Sequence, residues 1–356
     1  MEQKIKYLIE AARHAPSGEN AQPWRFVWSK SKQTLEVHIE KSRSSSLYDW
    51  GYRASYVAVG AAIQNILLAS GEVDLQASHK FFPLGEGSNV VAEISFTKFS
   101  GENNALASCI KKRVTNRKKY DSNKVPEEIL NLLKNLGQES FGGKIKLTED
   151  RGEIKTLAKV GSTNEEIMLG NKTIHDFFFS HVNWTKEEDR KNKVGFYIKT
   201  LELPAPAEVG FKLVSNWSRA NPLNKLFKFP KVVAAQNAAV YESGSAIGLV
   251  ESPTDSITDA VKTGMLIQKL WLTVTKCGLQ LQPVTGILYF ALGVKNSQEE
   301  GFSAEDLKKI DVQYKKVQDI FDVTGTPFFM FRIGYADAPT AQALRFNTDE
   351  LLTIHD

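Results

Sequence analysis

Two stretches of this chain follow nearly the same pattern: Gly60-Ala61-Ala62-Ile63-Gln64 with Leu68, and Gly264-Met265-Leu266-Ile267-Gln268 with Leu272. Each lies in a long apolar run. The first, Tyr52 to Ser70, is Ala-rich and almost free of charge, as a helix buried on most sides would be. Each is followed later by a strand-like segment, Ala92 to Phe99 in one case and Phe328 to Ile333 in the other. A repeat constrains the fold more than composition does, because it calls for two units of similar plan. The 356 residues are enough to give each a core. The expectation is therefore an α+β chain of two related halves.

The remaining pattern fills in this plan. Ile5, Leu8, Ile9 and Ala12 recur at helical spacing and Pro16 ends the run. Arg25 to Trp28 and Leu35 to Ile39 alternate like paired strands across Ser29 to Gln33. Val90 to Phe99 reads as a strand, Ala105 to Arg117 as a helix, and Phe346 to Ile354 as a helix-like tail. Asp176 to Lys231 has no counterpart in the first half and is dense in aromatics, including Phe177, Phe178, Phe179, Trp184 and Trp217. It is either padding between helices or a lid over a pocket. The expected divisions are residues 1–103, 104–175, an inserted 176–231, and 232–356.

Charge and cysteine usage exclude several classes. The 45 basic and 41 acidic residues leave +4, and the basic ones are scattered, so nucleic acid is not an expected partner. Cys109 and Cys277 lack paired spacing and argue against a disulfide framework or a cysteine metal site. Charges interrupt the apolar runs at the amino terminus, and no run of about 20 uncharged apolar residues is apparent. A soluble cytoplasmic protein with no membrane partner is expected. The six His residues are isolated, and His14 reads as a helix-end residue. No paired carboxylates or Ser-His-Asp set stand out.

Three constellations carry chemistry. In Pro16-Ser17-Gly18-Glu19-Asn20-Ala21-Gln22-Pro23-Trp24, the Ser, Asn and Gln side chains suit a planar heteroaromatic ligand that needs donors and acceptors. In Arg113-Val114-Thr115-Asn116-Arg117, two guanidiniums four apart, on one face if helical, flank a hydroxyl and could receive a phosphate monoester. The third is Cys277 to Gly286, where Pro283, Val284, Thr285 and Gly286 follow the second apolar helix and Gly286 permits close backbone approach. Near the carboxyl end, Arg332-Ile333-Gly334-Tyr335 follows a strand and Arg345 precedes the apolar tail.

The loop Ala15-Pro16-Ser17-x-x-Asn20-x-Gln22-Pro23-Trp24, the Thr115-Asn116-Arg117-x-x-Tyr120 motif ahead of Val125-Pro126-Glu127, and Ser42-Arg43 with Asp49 and Arg53 resemble the nitroreductase superfamily, closest to its tandem Acg-like branch. Where that branch commonly has Asp before its Arg pair, this chain reads Glu40-Lys41-Ser42-Arg43. The resemblance implies a nitroreductase-like intramolecular pseudo-dimer that can remain a monomer. It also implies one FMN, with Pro16, Ser17, Gly18, Asn20 and Gln22 against the ring and Arg113, Thr115, Asn116, Arg117 and Arg345 or Arg332 at the phosphate. Pro283 to Gly286 would pass the flavin edge. The implied activity is NAD(P)H-dependent, ping-pong reduction of a small aromatic or quinone-like acceptor, and the alternative is an FMN store. The flavin would do the chemistry, with no separate catalytic side chain.

Overall fold

Alternating apolar residues make Trp24–Ser29 (β1) and Thr34–Ile39 (β2) an antiparallel hairpin that buries Trp24, Phe26, Leu35 and Val37 on one face. The structure, a computed structural model, describes residues 1–44, 47–99, 101–139 and 141–356. Helix α1 (Glu2–Ala12) precedes the hairpin; α2 (Arg53–Ala69), β3 (Leu75–Phe81) and β4 (Val90–Lys98) follow. These strands stand in the order β1-β2-β4-β3, all antiparallel.

The second part starts with α3 (Glu127–Gln138), β5 (Lys144–Thr148) and α4 (Arg151–Gly170). It continues through α5 (Lys172–Ser180), β6 (Val182–Asn183), α6 (Lys186–Asn192), β7 (Phe196–Tyr197), α7 (Ala205–Val214), α8 (Trp217–Phe227) and α9 (Phe229–Glu242). Then come β8 (Ala246–Ser252), α10 (Ile257–Lys276), β9 (Gln280–Pro283), α11 (Gly286–Lys295), α12 (Ala304–Phe321) and β10 (Thr326–Gly334). Its sheet has the order β5-β8-β10-β9, again antiparallel, and so repeats the topology of the first. A short turn joins β1 to β2, whereas six helices lie between β5 and β8.

The two repeated glycines are where the units meet. A β-carbon on Gly60 would lie 1.9 Å from the Val261 carbonyl oxygen, and one on Gly264 would lie 1.9 Å from that of Val57. Each glycine thus faces the residue three positions before the other, and α2 and α10 cross backbone to backbone. Gln268 Nε2 donates to Asn65 Oδ1 at 2.7 Å, and Asn65 Nδ2 donates to the Ala11 carbonyl at 2.9 Å, so the fully buried Asn65 amide is engaged at both atoms, while Gln268 Oε1 is buried without a partner. The Trp50–Val73 stretch is long and apolar enough, by length and composition, to cross a membrane, contrary to the expectation from its sequence. Here it is the mostly buried core helix α2.

Two expected elements differ. Ala105 to Arg117 is not a helix: only Ala107–Cys109 make a 3-10 turn, and Thr115 forms a parallel bridge to Leu281. Val114 and Thr115 are β-branched, and Asn116 Oδ1 accepts the Lys118 N–H at 3.0 Å, a local bond that competes with helix. The tail is not a helix either. A single turn, α13 (Thr348–Leu351), leads into β11 (Leu352–His355), which pairs parallel with β1 and completes the edge of the first sheet.

Most aromatics of the inserted helices face one another. Phe179 lies 4.8 Å from Phe211 and stacks on Trp184 at 6.2 Å, and the buried His175 Nε2 is 2.8 Å from the Val214 carbonyl. Phe177 instead reaches Tyr48, 5.8 Å away.

Candidate functional site

The loop after α1 is held in an unusual shape. Glu19, Asn20 and Gln22 have φ of 45°, 55° and 51°, left-handed values that cost non-glycine residues roughly 1 kcal/mol or more each. Three segments hold it there. Ser17 Oγ accepts the Gln22 N–H at 3.0 Å, and Gly195 N–H donates to the Glu19 carbonyl at 2.8 Å. Asn20 Nδ2 donates to the Lys193 carbonyl at 3.0 Å and the Leu344 carbonyl at 2.9 Å, and Gln22 Nε2 reaches the same Lys193 carbonyl at 2.7 Å. Gln22 Oε1 accepts from Phe346 N–H at 2.9 Å, and Arg345 donates to Asn20 Oδ1. Both amides are therefore engaged within the protein. Pro16, Ser17 and Gly18 remain at the loop surface, and a β-carbon on Gly18 would meet nothing within 4 Å.

Arg113 and Arg345 flank this loop. Arg113 is buried, lies over Trp271 at 4.4 Å and donates one Nη to the His14 carbonyl at 3.0 Å. Arg345 also donates to the Ala343 and Leu344 carbonyls. The Nε of each is buried and donates to nothing, and among the described residues neither has an acidic group within salt-bridge distance. Burial lowers Arg113 to about 9, aided by Arg345, and lowers Arg345 to about 10, aided by Arg13. Burial and Arg13 lower His14 to about 4, so its imidazole is neutral at neutral pH. Two desolvated cations that keep a free donor apiece have the chemistry to accept an anion.

The other predicted ligands are placed differently. Arg117 diverges from Arg113, donating to the Thr200 carbonyl at 3.0 Å and lying 5.7 Å from the Phe196 ring. The helical spacing that would have put both guanidiniums on one face is absent. Asn116 is fully buried, its Nδ2 donating to Gln280 Oε1 at 3.1 Å and to the Asp337 carbonyl at 2.8 Å. Arg332, the reserve anion ligand, is also fully buried. It donates to Gln282 Oε1, the Val240 carbonyl, Ser243 Oγ and the Lys118 carbonyl, and stacks 3.8 Å from Tyr120. It ties strands and loops together instead of facing a ligand.

Pro283 closes β9, and the Val284 N–H is taken by the Met330 carbonyl at 2.7 Å. Thr285 and Gly286 open α11, whose first amides have no partner within the helix. A β-carbon on Gly286 would lie 2.2 Å from Asn164 Oδ1, so the Asn164 side chain covers the glycine.

Asn164 leads to a group that sequence pattern did not reveal. Asn164 Oδ1 and Glu165 Oε2 are buried without partners, and Tyr241 donates to Glu165 Oε1 at 2.8 Å. Burial raises Glu165 to about 7; burial and the charge of Asp49 raise Glu19 to about 7. Burial raises Asp49 to about 6 against the hydrogen bonds from Ser55 and Ala54. Burial, with the charges of Glu19 and Glu165, also raises the Tyr48 phenol, so carboxyls from both halves act on this one side chain. One sequence signal was available: Ser162 and Thr163, just before Asn164 and Glu165, are buried polar residues on α4, out of step with an apolar core face. Groups that titrate near neutrality can hold or release a proton at working pH. A hollow of about 390 Å³ lined by Asp150, Glu153, Lys316 and Asp319 contains none of these residues.

This group predicts a pH dependence. A carboxyl whose folded value lies above its unfolded value holds extra protons in the folded state, so stability falls as pH rises from about 4.5 to about 7. Glu165→Gln keeps an acceptor for Tyr241 and removes the titration. Unfolding free energies from urea titrations at about pH 5 and about pH 8 should differ less for the variant than for the parent, by about 1–3 kcal/mol. Equal pH dependence of the two proteins would show that Glu165 does not titrate in this range.

Residues 2–49 match the model described as the Nitroreductase family, and the loop Pro16–Trp24 lies inside that match. Over 345 residues, 95% of this chain, it is 25% identical to an uncharacterized protein of Mycobacterium tuberculosis (strain CDC 1551 / Oshkosh), and it spans only 46% of that relative's length. A Mycobacterium tuberculosis H37Rv protein provisionally named an NAD(P)H nitroreductase is 22% identical over 334 residues, 93% of this chain and 85% of that one. Among solved structures, the chain is similar to the FMN-dependent nitroreductase NfnB from Mycobacterium smegmatis in complex with NADPH, at 16% identity and TM-score 0.36, over 65% of this chain and 88% of that one. It is also similar to an iodotyrosine deiodinase bound to FMN and 3-iodo-L-tyrosine, at 14% identity and TM-score 0.35, over 68% and 95%.

Proposed function

We propose, from the premise that residues 2–49 are a nitroreductase-family segment, that the chain is an oxidoreductase of that kind holding FMN between its two units. The observation that carries this reading is the pair of buried, partnerless Nε donors on Arg113 and Arg345 beside the family-matched loop. A phosphate monoester satisfies both and neutralises the repulsion between the two guanidiniums. Arg113 and Arg345 would hold that phosphate, and Arg117 has donors to spare. Pro16, Ser17, Gly18, Thr285 and Gly286 would lie against the ring once the Asn164 side chain turns off Gly286. FMN supplies hydride and electron transfer when bound. Around it, Ser17 orients, the inserted helices exclude water, and Glu165 Oε2 holds a proton near neutral pH. The two-unit division at residues 103 and 104, the inserted 176–231 and the remainder from 232 belong to this proposal, as do a ping-pong cycle and an aromatic or quinone-like acceptor.

A second reading, an FMN store, is favoured by the ties between the Lys193–Gly195 segment and the loop: the Lys193 carbonyl accepts from both Asn20 and Gln22, and Gly195 donates to Glu19. Such a cover would hinder nicotinamide. Anaerobic titration separates the readings. The protein reconstituted with FMN should hold about one flavin per chain, by the single anion receptor. NADH or NADPH bleaches the flavin band quickly in a reductase, whereas in a store only dithionite does so. Failure to retain any flavin after reconstitution rejects both.

A further inference from the structure

The corner between α8 and α9 has a surface unlike its surroundings. Leu226 and Phe227 are 73% and 62% exposed, Val232 follows on α9, and Val209 and Leu213 are exposed on the adjoining α7. Lys228 alone joins the two helices, with φ of 51°, and so the chain turns sharply between Phe227 and Phe229. Lys212, Arg219, Lys225, Lys228 and Lys231 lie on these three helices and the joint between α8 and α9. All five are exposed, and among the described residues none forms an ion pair. Glu208 is the one acid between Ala205 and Ala235, and it is bound to Lys199 at 2.6 Å. Five cations against one acid mean that this stretch holds by itself a charge equal to the +4 of the whole chain.

Exposed Leu, Phe and Val set among unpaired lysines match a lipid surface that offers acyl chains just below anionic headgroups. We propose that the α8–α9 corner and the exposed side of α7 dock the protein on an anionic bilayer. A second copy of the chain fits less well, because its lysines would face these across the contact. The expectation of no membrane partner rested on spanning segments, and surface docking needs none.

The test is co-sedimentation of the full chain with vesicles of phosphatidylcholine alone and of phosphatidylcholine with roughly one-third phosphatidylglycerol. The chain should sediment with the anionic vesicles at about 0.1 M salt, be released at about 1 M, and ignore the neutral vesicles. The triple variant Lys225→Glu, Lys228→Glu, Lys231→Glu should bind at least about a hundredfold more weakly. Leu226→Ser with Phe227→Ser should cost about tenfold or more although every charge remains. No sedimentation with anionic vesicles overturns the proposal, as does equal binding to neutral ones. A concentration-dependent dimer in light scattering without vesicle binding assigns the surface to a second copy; binding only to acidic proteins assigns it to a protein partner. Both results reject the lipid assignment. The salt series uses the unaltered chain and remains decisive even if a variant misfolds.

Discussion

Replacing Arg113 and Arg345 together by methionine is expected to weaken FMN binding by at least about a hundredfold while the flavin-free protein keeps its stability to within about 1 kcal/mol. Two charge-assisted bonds to phosphate are worth about 1.5–3 kcal/mol each, and a hundredfold loss needs only about 2.7 kcal/mol. The stability side follows from the cost of the unliganded state, in which burial depresses both guanidiniums and each opposes the other's charge. Methionine fills much of the volume over Trp271 and removes that repulsion, which offsets the lost bonds to the His14 carbonyl and Asn20 Oδ1. Arg117→Met should matter less than Arg345→Met, because Arg117 is turned toward Thr200. Flavin fluorescence titration and urea unfolding without flavin measure the two sides separately. If affinity is unchanged in a folded double variant, the phosphate does not lie there. If instead stability collapses while bound flavin is retained, these arginines are structural.

The second large effect is expected at the helix crossing. Gly60→Val should destabilise the protein by about 3 kcal/mol or more, because the new β-carbon would meet the Val261 carbonyl oxygen at 1.9 Å and its carbon at 2.8 Å. Those atoms belong to a helix backbone and cannot turn aside, so α2 and α10 must separate and weaken the Gln268–Asn65 bond and the packing of Val261 and Leu272 with the first unit. Gly264→Val should do the same from the other side, against Val57. Gly210→Ala is the control: it lies in α7, nothing stands within 4 Å of the new carbon, and alanine should stabilise that helix by about 0.5–1 kcal/mol. If Gly60→Val unfolds at the same urea concentration as the parent, the crossing is not as tight as the geometry states.

The sequence was most legible where one local rule decides. The period of two in β1 and β2, the apolar run of α2 and the paired Gly-x-x-Ile-Gln segments all placed real elements, because burial of one face dictates each pattern. It was least legible where the deciding contact is remote. Leu352 to His355 is too short to declare itself a strand, and its partner β1 lies more than three hundred residues earlier. Asn20 and Gln22 are the polar types that a ligand loop would carry, yet carbonyls at Lys193 and Leu344 claim them, and no spacing forecasts that. Arg113 and Arg345 were named beforehand, but only the folded chain shows that, among the described residues, neither has a carboxylate within salt-bridge distance, Asp189 acting on Arg345 from farther away. Glu165 was missed because a helical glutamate is ordinarily solvated, and its burial depends on the helices stacked over α4.

The pairing of β11 with β1 sets an order on biosynthesis. The first hairpin is translated early, yet its outer edge stays bare until residue 355 has cleared the ribosome, roughly 20 to 60 s later at about 5–20 residues per second. Through that interval Phe26 and Trp28 lie on a strand whose unpaired amides invite any passing extended segment. The nascent chain therefore passes through a stage in which this edge of the first sheet has no partner strand.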